Sequence, residues 1–323
     1  MSQEEVYKNL EIQIANNLEY LKRCDPFFYH CMGEINEIIK NAPIPPKNSL
    51  QQELNTDSTT ENNIRLAAEF LSLCRQDYGQ RFLEDYKNNR IKVLPNENSR
   101  CQEDIKSQEY QVIINKNGTL KEALDMVHEY FHVLNLELSK IPYIRQSFTE
   151  TISLAAELLF LDFLKEKGVA ERECQILKNY RINLYKNNIL ALQYLLPLYM
   201  EIKEKSNLSP DFYESQAEYY KNKNMDKQTF LMCGYEISEA ETSRSDIACY
   251  KYVIGYAYAS YFHQRNASPS KLSIANESLK VGNISATLNT LVPADIELDE
   301  LGESIIKEIT PPIYQKTKQT SKI

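Results

Sequence analysis

Two histidines four residues apart, with a glutamate beside the first, fix the conformation of the segment around them: His128-Glu129-Tyr130-Phe131-His132. On an α-helix, positions i and i+4 lie on adjacent turns of one face, where both imidazoles can reach a single ion. Glu129 then projects beside that face, placed to polarise a water and move its proton. The chain has only four histidines, so half of its imidazoles lie on this one segment.

The flanking residues agree with a helix. Thr119 and Glu122 have the T-x-x-E spacing of a capping box, which predicts a helix from there to about Leu138. Before it, Gln111–Ile114 has strand character and Asn115–Gly118 reads as a turn. A catalytic zinc keeps three protein ligands and an open position. The next helix, entered after Pro142 and ended by Gly168, offers Glu150 and Glu157, seven residues apart on one face. Phe148, Ile152, Leu154, Leu158 and Leu159 surround them, and carboxylates in so apolar a segment need a partner. We assign Glu150 as the third ligand and Glu157 as the group that orients a ligand histidine.

Glycine is scarce, at 8 residues, while Leu, Glu, Lys and Ala recur in long stretches; the chain is therefore expected to be mainly α. Further helices are expected over 3–22, 26–41, 62–86, 170–206, 209–223, 236–264, 268–280, 283–291 and 297–308. Residues 42–61 read as a linker or long surface loop, 87–108 as polar and irregular, and the tail from Pro311 as frayed. The expected domains are an N-terminal helical segment with linker over 1–65, a catalytic domain over 66–310 and a flexible tail over 311–323.

A net charge of −8 opposes nucleic acid as the main partner, because neutralising phosphates needs a basic face. No apolar stretch is long and uncharged enough to span a bilayer, and the first residues carry no basic region followed by an apolar run. The seven widely spaced cysteines form no C-x-x-C pair and fit reduced thiols in a cytoplasmic protein.

Several segments resemble the thimet oligopeptidase and oligoendopeptidase F family of zinc metallopeptidases. QVIINKNGTLKEALDMVHEYFH is similar to that family's edge strand, turn and zinc helix, and FTETISLAAELLF to the segment with its glutamate ligand. CYKYVIGYAYASYF resembles the tyrosine-rich helix that faces the metal, and the likeness runs over about 70–300. It implies a helical gluzincin fold with a short edge strand or small sheet near the zinc helix. It also implies one Zn2+ per chain, held by His128, His132 and Glu150, and peptide or flexible protein substrates cleaved internally. Glu129 would be the general base and Tyr250 a donor to the substrate oxyanion, with Tyr252 and Tyr256 nearby on the same helix. Three departures stand out. Phe131 occupies a position usually held by glycine. No histidine lies between His132 and His263, where the family has one. Only about 65 residues precede the matching region. The competing readings are an aminopeptidase of the same metal class and a binding protein that keeps the fold without turnover.

Overall fold

The computed structural model describes residues 3–24, 57–104, 109–136, 145–169, 171–182, 249–265, 267–281, 283–293 and 298–309, with a few isolated positions besides. The helix expected over 26–41, most of the 42–61 segment, the helix over 209–223, the first part of that over 236–264 and the tail lie outside these residues. The chain divides into two compact units that interleave in sequence: Met1–Ile44 with Lys186–Val253, and Pro45–Tyr185 with Ile254–Ile323.

In the first unit, α1 (Gln3–Cys24) buries Leu10 and Ile14, one turn apart on its apolar face. The second unit holds the remaining elements, except that α6, below, begins before its boundary. They are α2 (Thr60–Cys74), α3 (Gln76–Lys87), β1 (Ile91–Leu94), β2 (Arg100–Asp104), β3 (Glu109–Asn115), α4 (Lys121–Leu136) and α5 (Arg145–Glu166). After a helical stretch over 171–182 come α6 (Cys249–Gln264), α7 (Pro269–Lys280), α8 (Ile284–Leu291) and α9 (Leu298–Ile309). The described residues are mostly helical with one small sheet, a mainly α architecture. None of the described helices is long and apolar enough to cross a membrane.

Two expectations are corrected here and a third is made definite. The single helix over 62–86 is two helices, and the first starts at Thr60, inside the expected linker. The break is at Arg75, which is extended (φ −161°, ψ 134°) and bridges to Asp77 and Glu277. Gly79 lets α3 fold tightly onto α2, since a Cβ there would fall 2.5 Å from the Ala68 carbonyl oxygen. Second, residues 87–108 contain β1 and β2. Third, of the edge strand or small sheet expected before the motif helix, a small sheet is what forms, and β3, the strand before α4, is central among its described strands: the order is β1-β3-β2, with β1 parallel and β2 antiparallel to β3. Its run Val112-Ile113-Ile114 is continuously buried, as a strand covered on both faces should be.

The helices that carry the motif residues form the core of this unit. α4 is buried along nearly its whole circumference; only Lys121, Glu129 and His132 are partly exposed between Lys121 and Asn135. Its start is fixed by a variant of the expected cap. The Glu122 carboxylate accepts from the N–H groups of Asn117 and Gly118 (2.7 Å each), while the Asn117 side chain takes the Thr119 N–H. The other Glu122 oxygen accepts from Thr60 Oγ1 and Asn63 Nδ2 on α2, so the cap also docks two helices. Downstream, Tyr130 reaches across to α3, donating to the buried Asp85 (2.8 Å) and packing edge-on against Phe82. α5 is buried from Glu150 through Leu161 and joins α2 through the Phe70, Phe160 and Phe163 rings. It ends at Gly168, whose positive φ (83°) allows the Val169 N–H to return to the Leu164 carbonyl.

Candidate metal centre

α4 and α5 bring three ligand atoms together. His128 Nε2 and His132 Nε2 are 3.1 Å apart, and Glu150 Oε2 is 3.6 Å from the first and 3.7 Å from the second. His128, His132 and Glu150 are the group among the described residues able to hold a metal ion. The donor set fits one. A point equidistant from the three atoms lies about 2.0 Å from each, within the range of zinc–nitrogen and zinc–carboxylate bonds. The two rings meet edge to face, at 77° with centroids 4.8 Å apart, so their lone pairs converge without stacking. Glu150 and His128 are buried, while His132 and Glu129 are half-buried. The site is therefore covered at His128 and Glu150 and partly exposed at His132 and Glu129.

Glu157 lies on the other side of the His128 ring. Its Oε1 is 2.6 Å from Nδ1, the nitrogen turned away from Glu150. A carboxylate there favours the proton on Nδ1, so that with a metal bound Nε2 is the donor atom. His132 Nδ1 has Ser153 Oγ at 3.5 Å. Behind Glu157, Arg181 Nη2 approaches its carboxylate (3.0 Å) and donates to Asp125 Oδ1 (2.9 Å). Asp125 is also held by Lys121 and by Ser99 Oγ (2.6 Å). Two carboxylates and two cations thus balance in a buried cluster next to the site.

Burial opposes charge on His128, but Glu157, joined by Glu129 and Glu150, outweighs it and pushes the imidazole up to about 9. Glu129 is raised to about 7, first by burial and then by the nearby Glu150 and Asp125 carboxylates, against the pull of His128 and Arg181. Glu129 as a whole residue is partly exposed, yet enough protein surrounds its carboxylate for desolvation to dominate. Burial also opposes charge on Asp125, but Arg181 and Lys121 prevail and hold it below the usual carboxylate range.

The tyrosine helix is placed unevenly. Tyr250 is the second residue of α6, and its side chain lies outside the described residues; Tyr252 is half-buried and Tyr256 is buried. Gly255 is the point where α6 meets the ligand helix. A Cβ there would lie 3.1 Å from Thr151 N, 3.1 Å from Leu154 Cδ1 and 3.3 Å from the Glu150 carbonyl carbon. Phe131, the bulky residue between the motif histidines, is fully buried with its ring edge-on to Tyr78 (6.4 Å).

Sequence reasoning missed Asp125 and Arg181. Asp125 had a signal: it is an acid set within the apolar stretch Ala123–Val127 of α4, three residues before His128 and therefore on the same side of the helix. Arg181 had none, because its partner Asp125 is 56 residues away. The fold and the site together define a helical protein with a His-His-Glu group suited to a metal ion. No family model matches the chain, and no curated protein or solved structure matches it either.

Proposed function

We propose that the chain is a zinc-dependent endopeptidase of the gluzincin type, acting on peptides or flexible protein segments. The observation that carries this reading is the convergence of His128 Nε2, His132 Nε2 and Glu150 Oε2 at the spacing of one ion, with Glu129 on the same partly exposed stripe of α4 as His132. Bound there, zinc supplies a Lewis acid and lowers the pKa of water to near neutrality. Glu129 takes the proton of the attacking water and delivers it to the departing peptide nitrogen. Glu157 keeps the Nδ1 proton on His128 through both transfers, so the ligand ring does not exchange its role. By the resemblance of the tyrosine helix, Tyr250 donates to the substrate oxygen as it gains charge, with Tyr252 and Tyr256 the alternatives on that helix.

Elemental analysis of the purified protein, beside cleavage-site profiling of a peptide library, tests the reading. Wild type should carry one zinc per chain and cut within peptides. Glu129→Gln should keep the metal and lose turnover by about 100-fold or more, since an amide cannot accept the water's proton. Bound zinc with no cleavage of any peptide would leave a metal-binding protein and defeat the peptidase reading. Removal of single N-terminal residues only would make it an aminopeptidase. A protein purified without chelators that holds no transition metal would defeat the reading altogether.

A further inference from the structure

We infer that Arg181 is a positioning residue for the metal-binding group: its guanidinium clamps the two ligand-bearing helices to each other through Asp125 and Glu157. The inference rests on the proposed metal site. Asp125 is on α4, three residues before His128, and Glu157 is on α5, seven residues after Glu150. Arg181 comes from neither helix. Its Nη2 is 2.9 Å from Asp125 Oδ1 and 3.0 Å from Glu157 Oε1, so one nitrogen spans the gap between them.

All three side chains are largely out of solvent: 3% of each carboxylate side chain is exposed and 16% of the arginine. Ion pairs on a surface contribute little, but a pair this buried is costly to break, since the remaining charge has no water to return to. The carboxylate held by Arg181 is the one that touches His128 Nδ1, and it does so through the same Oε1 atom. That shared atom is what separates a positioning role from a plain structural ion pair. Moving Arg181 moves Glu157 Oε1, and with it the ring whose Nε2 faces Glu150. Asp125 is itself tied to the sheet through Ser99, whose Oγ also accepts the Asn115 N–H of β3. The chain of contacts therefore runs from the sheet to a ligand histidine, with Arg181 as its centre. Lysine keeps the charge but not the rigid planar N–H geometry of the guanidinium, so it should hold Glu157 less firmly.

The test is titration of the metal-free full-length protein with Co2+, read by its visible absorption, and with Zn2+ in competition against a chromophoric chelator. Variants are Arg181→Lys, Arg181→Met, and Arg181→Met combined with Asp125→Asn, which preserves charge balance if the single Met variant fails to fold. Circular dichroism and thermal melting certify each fold. We expect the folded Met variants to bind either metal roughly 10–100-fold more weakly, as losses behind a metal ligand do, with Arg181→Lys between them and wild type. The cobalt bands of the variants should shift as the ligand geometry changes, which a loss of global stability alone would not cause. Folded variants that bind as tightly as wild type, with an unchanged cobalt spectrum, would overturn the inference and leave the metal site standing. A wild type that binds neither metal would overturn both.

Discussion

Glu150 and Glu157 share a helix and a face, yet they serve His128 from opposite sides of its ring: one stands 3.6 Å from Nε2, the other 2.6 Å from Nδ1. The two positions carry different consequences. Glu150→Ala removes one of three donors and should abolish stoichiometric zinc, because two histidines alone hold an ion weakly. Glu157→Ala leaves the donors intact but frees the ring, and should weaken zinc by about 10–100-fold. Competitive zinc titration of both variants checks the order, and an equal loss in the two would mean that the geometry misassigns their roles. Neither glutamate is interchangeable with Glu129, which projects to the half-buried stripe it shares with His132 and whose replacement by Gln should leave zinc in place.

The elements differ in how plainly the sequence announced them. α4 was legible because polar cap, apolar run and histidine spacing all agreed on one helix, although Glu122 turned out to cap Asn117 and Gly118 rather than Thr119. The candidate ligands were legible for the same reason: their spacing is meaningful only on a helix. The break between α2 and α3 was not, since neither Arg75 nor Gln76 is a helix breaker, and the kink is held by Asp77 and the distant Glu277. β1 and β2 were hidden because they are 4 and 5 residues long, and Arg-Cys-Gln-Glu-Asp has no apolar alternation. Gly255 is an element-scale feature that only packing reveals. In an exposed helix, Gly→Ala is stabilising by roughly 0.5–1 kcal/mol. Here two of the three atoms that the new methyl would meet are α5 backbone, at Thr151 and Glu150, and backbone cannot rotate away. Gly255→Ala should therefore reverse the usual sign, lower the melting temperature and weaken zinc by shifting the Glu150 turn. Thermal melting and zinc titration read both effects; a variant more stable than wild type with unchanged zinc affinity would show that α6 yields freely there.

At the scale of the molecule, all three candidate ligands belong to one compact unit, formed by Pro45–Tyr185 and Ile254–Ile323. His128 and His132 come from one helix and Glu150 from the next, so an ion that binds them links α4 to α5 in the folded state only. The unfolded chain offers no such cage, and binding then adds to stability by mass action. With free zinc at 100 times its dissociation constant the gain is about 2.7 kcal/mol. For a unit of roughly two hundred residues, each kilocalorie shifts the melting temperature by about 2–4 °C, so chelation should lower it by about 5–10 °C. Differential scanning calorimetry of the protein before chelation, after it, and after zinc is restored measures the shift and its reversal. His132→Ala supplies the control, since its melting temperature should no longer respond to zinc. A wild type that carries stoichiometric zinc yet melts at the same temperature after chelation would place the ion outside the His-His-Glu group.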